Sequence, residues 1–130
     1  MADDARNKLR RKLRESWESL DPIDFEHKIA ELYESLGYKA EVTPAGNDGG
    51  IDVILHHAGN EILVQCKKYQ SSPASSNKCS PDFAHKLAGV MSARGIKEGK
   101  LVCSSGFTSG VTEFVKKLNY EQGIKIELVD

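Results

Sequence analysis

The chain has 130 residues and, at 14.3 kDa, the usual size of a single domain. Eighteen basic and nineteen acidic side chains leave a formal charge of -1, and 39% apolar with 28% charged residues is ordinary globular usage. That excludes collagen-like, disulfide-stapled and wholly disordered chains. No apolar run approaches the ~20 residues that span a bilayer, and the opening Met-Ala-Asp-Asp-Ala-Arg lacks the apolar core of a secretory signal. Cys66, Cys79 and Cys103 are odd in number and have no CxxC spacing, so reduced thiols in a cytoplasmic protein are expected.

The charge is unevenly spread. Residues 1–20 carry +2, residues 21–52 carry -6 and residues 61–100 carry +4. An acidic stretch beside a basic one suits a site where carboxylates hold a cation and lysines meet a polyanion.

In chain order, residues 1–20 read as a basic amphipathic helix, with Leu9, Leu13, Trp17 and Leu20 at helical spacing. Six of the nine residues from Arg6 to Arg14 are basic, which fits either a solvated face or a nucleic-acid contact. The helix over 22–36 is better specified: Asp21 as N-cap, Pro22 at the first position, Gly37 as stop. Its apolar stripe is Phe25, Ile29, Leu32, Tyr33 and Leu36. Tyr38–Thr43 reads as a short strand, and residues 44–50 as a turn dense in breakers. Ile51–His57 and Glu61–Tyr69 read as a hairpin closed by Ala58-Gly59-Asn60. A polar loop over 70–80 follows. Pro81 opens a helix striped with Phe83, Leu87, Val90 and Met91 and ended by Gly95. Lys100–Ser104 is a strand, Val111, Phe114, Val115 and Leu118 mark a helix, and Ile124–Val129 is the last strand. The expected fold is α/β, a mixed sheet of about five strands flanked by helices, whose third and fourth strands are parallel across a helical crossover.

Period-2 alternation places Ile51, Val53 and Leu55 on one face and Asp52 on the other. On the next strand Gln65 and Lys67 share a face and Cys66 lies opposite. Each of the three polar residues alone could be a strand end facing water. Three in strands otherwise apolar on both faces point to a site, because buried strands rarely tolerate unpaired polar groups. A carboxylate and an amide oxygen are hard ligands that suit magnesium rather than zinc. A lysine beside them can orient water and neutralise an attacked phosphate. The combination points to phosphodiester hydrolysis.

At these residues the chain resembles a family. Gly46-Asn-Asp-Gly-Gly-Ile-Asp52 and Gln65-Cys-Lys67-Lys-Tyr69 look like the motifs of the Mrr branch of the PD-(D/E)xK nucleases, in which glutamine commonly replaces the superfamily's Asp or Glu. The likeness extends to Asp21-Pro-x-x-Phe25-Glu26, Leu36-Gly37-Tyr38, Ser104-Ser-Gly-Phe-Thr108 and Leu128-Val-Asp130, so it covers about residues 21–130. It implies a restriction-endonuclease-like core and a DNA endonuclease of restriction, defence or DNA processing. Asp52, the Gln65 side chain and the Cys66 carbonyl would hold Mg2+, with Mn2+ as a substitute. Lys67 would position the attacking water and stabilise the pentavalent phosphorane, and Glu26 would reach the metal or its waters. An ordinary first-turn glutamate explains Glu26 equally well.

The DNA-contact candidates are Asp48, Gly49, Gly50, Lys68, Tyr69 and Thr108. Turn chemistry alone would also explain the first three, and helix capping would explain Thr108. No target-recognition domain is evident. The expected partner is DNA, with a homodimer, a partner protein or a separate recognition domain as further candidates. A junction-resolvase-like nuclease and a catalytically silent DNA-binding module of the same fold are the competing expectations.

Overall fold

In the computed structural model the described residues are 21–43, 51–67, 79–103 and 106–129. The expected helix over 1–20, the turn over 44–50, Lys68, Tyr69 and most of the 70–80 loop lie outside them. Helix α1 (Pro22–Ser35) begins as its sequence dictates, with Asp21 accepting the Asp24 N–H at 2.8 Å. It turns directly into β1 (Lys39–Val42), with Gly37 at φ +99°, a conformation open to glycine. Strands β2 (Val53–His57) and β3 (Asn60–Lys67) form an antiparallel hairpin whose two-residue turn holds Ala58 at φ +50° and Gly59 at φ +81°. Left-handed backbone at both positions matches the twist of the strands.

Helix α2 (Pro81–Arg94) crosses from β3 to β4 (Glu98–Cys103), and α3 (Ser109–Gln122) from β4 to β5 (Lys125–Val129). The crossovers make β3–β4 parallel, as expected, and β4–β5 parallel as well, and the sheet order is β1-β2-β3-β4-β5. The α/β fold with a five-stranded mixed sheet is therefore the one expected, with strand ends shifted by one or two residues.

Two cores lie on opposite faces. Phe25, Ile29 and Tyr33 of α1 pack on Val53, Leu55, Val64, Cys66 and Val102. Leu87 and Met91 of α2 and Val111, Val115 and Leu118 of α3 pack on Leu63, Leu101, Cys103 and Ile126. Gly99 lets α2 approach the sheet closely, since a Cβ there would meet Met91 Sδ at 2.6 Å.

One expectation fails on this frame. Ile51 does not share a face with Val53 and Leu55; it joins the α2–α3 core. Its cause lies at Asp52.

Candidate active site

The pairing of β2 with β3 sets Val53 against Val64, so its continuation would set Asp52 against Gln65. The Asp52 N–H instead donates to the Val64 carbonyl at 2.9 Å, one residue out of register. On the other side the Thr43 N–H donates to the Asp52 carbonyl at 2.9 Å, and the Thr43 hydroxyl donates to the Ile51 carbonyl at 2.5 Å. A one-residue offset of this kind breaks alternation and re-aims side chains. It sends Ile51 to the opposite face and leaves the Cys66 N–H without a backbone partner in the ladder. The Asp52 carboxylate fills that position, with Oδ2 accepting the Cys66 N–H at 2.7 Å.

Glu26 comes from the first turns of α1, next to the buried Phe25, and its carboxyl hydrogen-bonds to that of Asp52. Partial burial, then the negative charge of Asp52, push Glu26 up to about 7. Burial also raises Asp52, although the Cys66 N–H opposes the rise. Two carboxyls in contact thus share a proton more readily than they both ionise. The sequence left Glu26 open between an ordinary first-turn glutamate and a group of the site; the fold brings it to Asp52.

Gln65 is 1% exposed, and its Oε1 finds no hydrogen-bond partner among the described residues. A buried amide oxygen left without a donor costs about 1–3 kcal/mol, so the position is held for something other than stability. Lys67 leaves the same face of β3. Its ammonium stands 4.4 Å from the centre of the Phe83 ring, and its charge opposes the upward shifts of both carboxyls. Cys66 points the other way into the α1 core, where burial pushes its thiol well above the ordinary range. That leaves its carbonyl, rather than its sulfur, as a donor on this edge.

Thr108 occupies the N-cap position of α3, as capping would require, yet its side chain makes no cap hydrogen bond and its buried hydroxyl has no partner among the described residues. His56 and His57, at the hairpin end, are distant in chemistry from this site: His56 lies 3.6 Å from Glu41, and His57 packs against Tyr38. Asp48, Gly49, Gly50, Lys68 and Tyr69 lie outside the described residues. Three features escaped the sequence reading. Phe83 presents its ring to Lys67 although its spacing marked it only as core. Cys79 and Cys103 hydrogen-bond to each other beneath the site, a contact that raises the Cys79 thiol. Lys100 is buried on the α1 face and pairs with Glu127 at 3.2 Å.

Among the described residues no three His, Cys, Asp or Glu side chains gather as a ready metal cluster. A magnesium-type ion asks for less than that from the protein, since one or two carboxylates and neutral oxygens suffice beside water. Asp52, Glu26 and the unpartnered Gln65 oxygen supply that hard, all-oxygen chemistry.

A family model described as restriction endonuclease, the Mrr catalytic domain, matches residues 17–130. The chain belongs to the Mrr restriction endonuclease family. Membership of a restriction endonuclease family supports a nuclease. The uncharacterized protein y4cE of Sinorhizobium fredii (strain NBRC 101917 / NGR234) is 30% identical over 120 residues, which is 87% of this chain and 30% of that protein. This Mrr-family chain therefore spans under a third of that relative's length. The fold is shared with the DNA modification-dependent restriction endonuclease AspBHI, at a TM-score of 0.61 and 17% identity over 97% of this chain and 33% of that one. It is also shared with AF1548, a protein of unknown function, at a TM-score of 0.62 and 14% identity over 83% of this chain and 57% of that one. Among the described residues no helix is long and apolar enough to cross a membrane.

Proposed function

We propose that this Mrr-family protein is a divalent-metal-dependent DNA endonuclease, using Mg2+ with Mn2+ as a substitute, in restriction, defence or DNA processing in the cytoplasm. The observation that carries the reading is the contact of Glu26 with Asp52 at one end of the β2–β3 hairpin, with the charge of Lys67 acting on both carboxyls and the unpartnered Gln65 oxygen two residues before Lys67 on β3. Asp52, Gln65 Oε1 and the Cys66 carbonyl would hold the ion, with Glu26 reaching it or its waters. When bound, the ion would supply Lewis-acid neutralisation of phosphate charge and lower the pKa of a water.

The remaining steps belong to the chain. Asp52, locked by the Cys66 N–H, fixes the anionic end of the site. The Lys67 ammonium donates to the attacking water and to a non-bridging phosphate oxygen, so the negative charge of the pentavalent phosphorane develops against a fixed positive one. The water's oxygen forms the new bond to phosphorus as one P–O ester bond of the backbone breaks. In the metal-free protein Glu26, raised to about 7 by burial and the Asp52 charge, can hold a proton against Asp52, and it would give that proton up to a cation bound there.

Residues 21–130 are proposed as the nuclease unit; residues 1–20, basic and amphipathic, either add DNA affinity by counterion release or dock through Leu9, Leu13, Trp17 and Leu20 on the core or on a second subunit. Thr108, Lys68, Tyr69 and the Asp48-Gly49-Gly50 turn are the proposed contacts to the DNA backbone. The test is incubation of the purified protein with linear, supercoiled, single-stranded and branched DNA, with and without magnesium or manganese, beside Lys67→Ala. Metal-dependent cuts absent from the variant support the reading. Wild-type cleavage by Lys67→Ala refutes the site, binding without cutting favours a silent module, and cutting confined to branched DNA favours a resolvase.

A further inference from the structure

We infer that Phe83 is a positioning residue for the Lys67 ammonium, a role that rests on the reading of Lys67 as catalytic. Lysine carries its charge on a flexible four-carbon stem, and a group that must meet a developing charge gains from being held in place beforehand. Among the described residues Lys67 makes no ion pair; its ammonium lies 4.4 Å from the centre of the Phe83 ring. That distance is inside the range at which the negative face of an aromatic ring attracts a cation.

The choice of partner has a chemical consequence. A carboxylate would hold the ammonium by neutralising it and occupying its N–H groups. A ring face attracts the cation while leaving its charge whole, and the N–H groups turned away from the ring stay open for water and phosphate oxygen. Phe83 is itself well anchored. It lies in the first turn of α2, its N–H donates to the Ser80 carbonyl at 3.3 Å, and the adjacent Ala84 and Leu87 are fully buried. Phe83 packs partly into the α2–α3 core, so one edge of the ring is fixed and the face is presented to β3. The helix that follows the 70–80 loop thereby sets where the strand's lysine points.

The experiment replaces Phe83 by leucine, which keeps apolar bulk without a π-face, and by tyrosine and tryptophan, which keep the face. At saturating DNA with magnesium, Phe83→Leu is expected to lower kcat about tenfold with KM within about twofold of wild type. Phe83→Tyr or Phe83→Trp is expected to restore most of the rate. Phe83→Met repeats the test if leucine lowers the melting temperature. A second readout needs no activity. In protein carrying 13C at the lysine ε-carbon, the ε-proton signal lost in Lys67→Arg should lie upfield through the ring current, move back in Phe83→Leu, and stay upfield in Phe83→Tyr. Wild-type kcat in Phe83→Leu, an equal loss in the aromatic variants, or no upfield signal overturns the inference. If those results come with an inactive Lys67→Ala, only the role of Phe83 fails; an active Lys67→Ala means that the function reading itself fails.

Discussion

Replacing Glu26 with glutamine probes the shared proton at the site directly, in the metal-free protein. The carboxyl titrates at 4.5 when unperturbed and at about 7 in the fold, where burial and the Asp52 charge favour its neutral form. Below pH 4.5 it is protonated in both folded and unfolded chains and contributes its full stability. As pH rises through 4.5 the unfolded chain ionises first, so unfolding releases a proton and stability falls until the folded carboxyl also ionises near 7. The full shift would correspond to about 3.4 kcal/mol at ~1.36 kcal/mol per unit. Glu26 is partly exposed, and solvent screening reduces the expected loss to about 1 kcal/mol. Glutamine keeps the shape and carries no charge at any pH. Urea unfolding in the presence of a chelator, followed by circular dichroism at pH 5, 6, 7 and 8.5, should therefore show Glu26→Gln gaining about 1 kcal/mol on wild type across that range. The difference between the two proteins cancels the four histidines that titrate in the same interval. A constant difference, or a variant that loses ground as pH rises, would refute the proton-sharing pair.

Asp52→Ala should abolish cleavage and also lower stability by about 1–3 kcal/mol, because it leaves the Cys66 N–H buried and unpaired. Asp52→Asn, which keeps an acceptor oxygen, should recover much of that stability in thermal melts but none of the activity. Gln65→Leu should inactivate the enzyme while making the metal-free protein more stable by about 1 kcal/mol, since it removes an unpartnered buried oxygen; a destabilised Gln65→Leu would mean that the oxygen has a partner in solution. Gln65→Glu should retain part of the activity in the DNA assay, perturbing metal preference rather than destroying ligation. Ala58→Asn should raise stability by about 0.5–1 kcal/mol in urea melts, because asparagine tolerates the left-handed backbone at φ +50° better than alanine does.

Much of the frame was legible in the sequence because its causes are local. Asp21 and Pro22 start α1, Gly37 permits its exit, and the 3.6-residue stripe of Phe25, Ile29 and Tyr33 chooses the face that is buried. Alternation correctly divided Gln65 and Lys67 from Cys66, since a regular strand has no other way to turn its side chains. The Mrr motifs marked Asp52, Gln65 and Lys67 for the same reason, as residue types at fixed spacing.

Other features depend on how separate segments come to lie against one another. Ile51 changed faces because one hydrogen bond, from Asp52 to Val64, sits a residue out of register, and periodicity cannot show such a slip. Glu26 meets Asp52 only because α1 packs on the hairpin, and that contact, with burial, moves its proton affinity. Lys100 reads as an ordinary surface lysine until β5 brings Glu127 beside it. The Phe83 ring has the spacing of core and acquires a face toward Lys67 only through the docking of α2 on β3. Sequence determines which groups are carried and which way a regular element turns them. The register between strands and the docking of helices decide which groups touch, and proton sharing and cation attraction act only over those few ångströms.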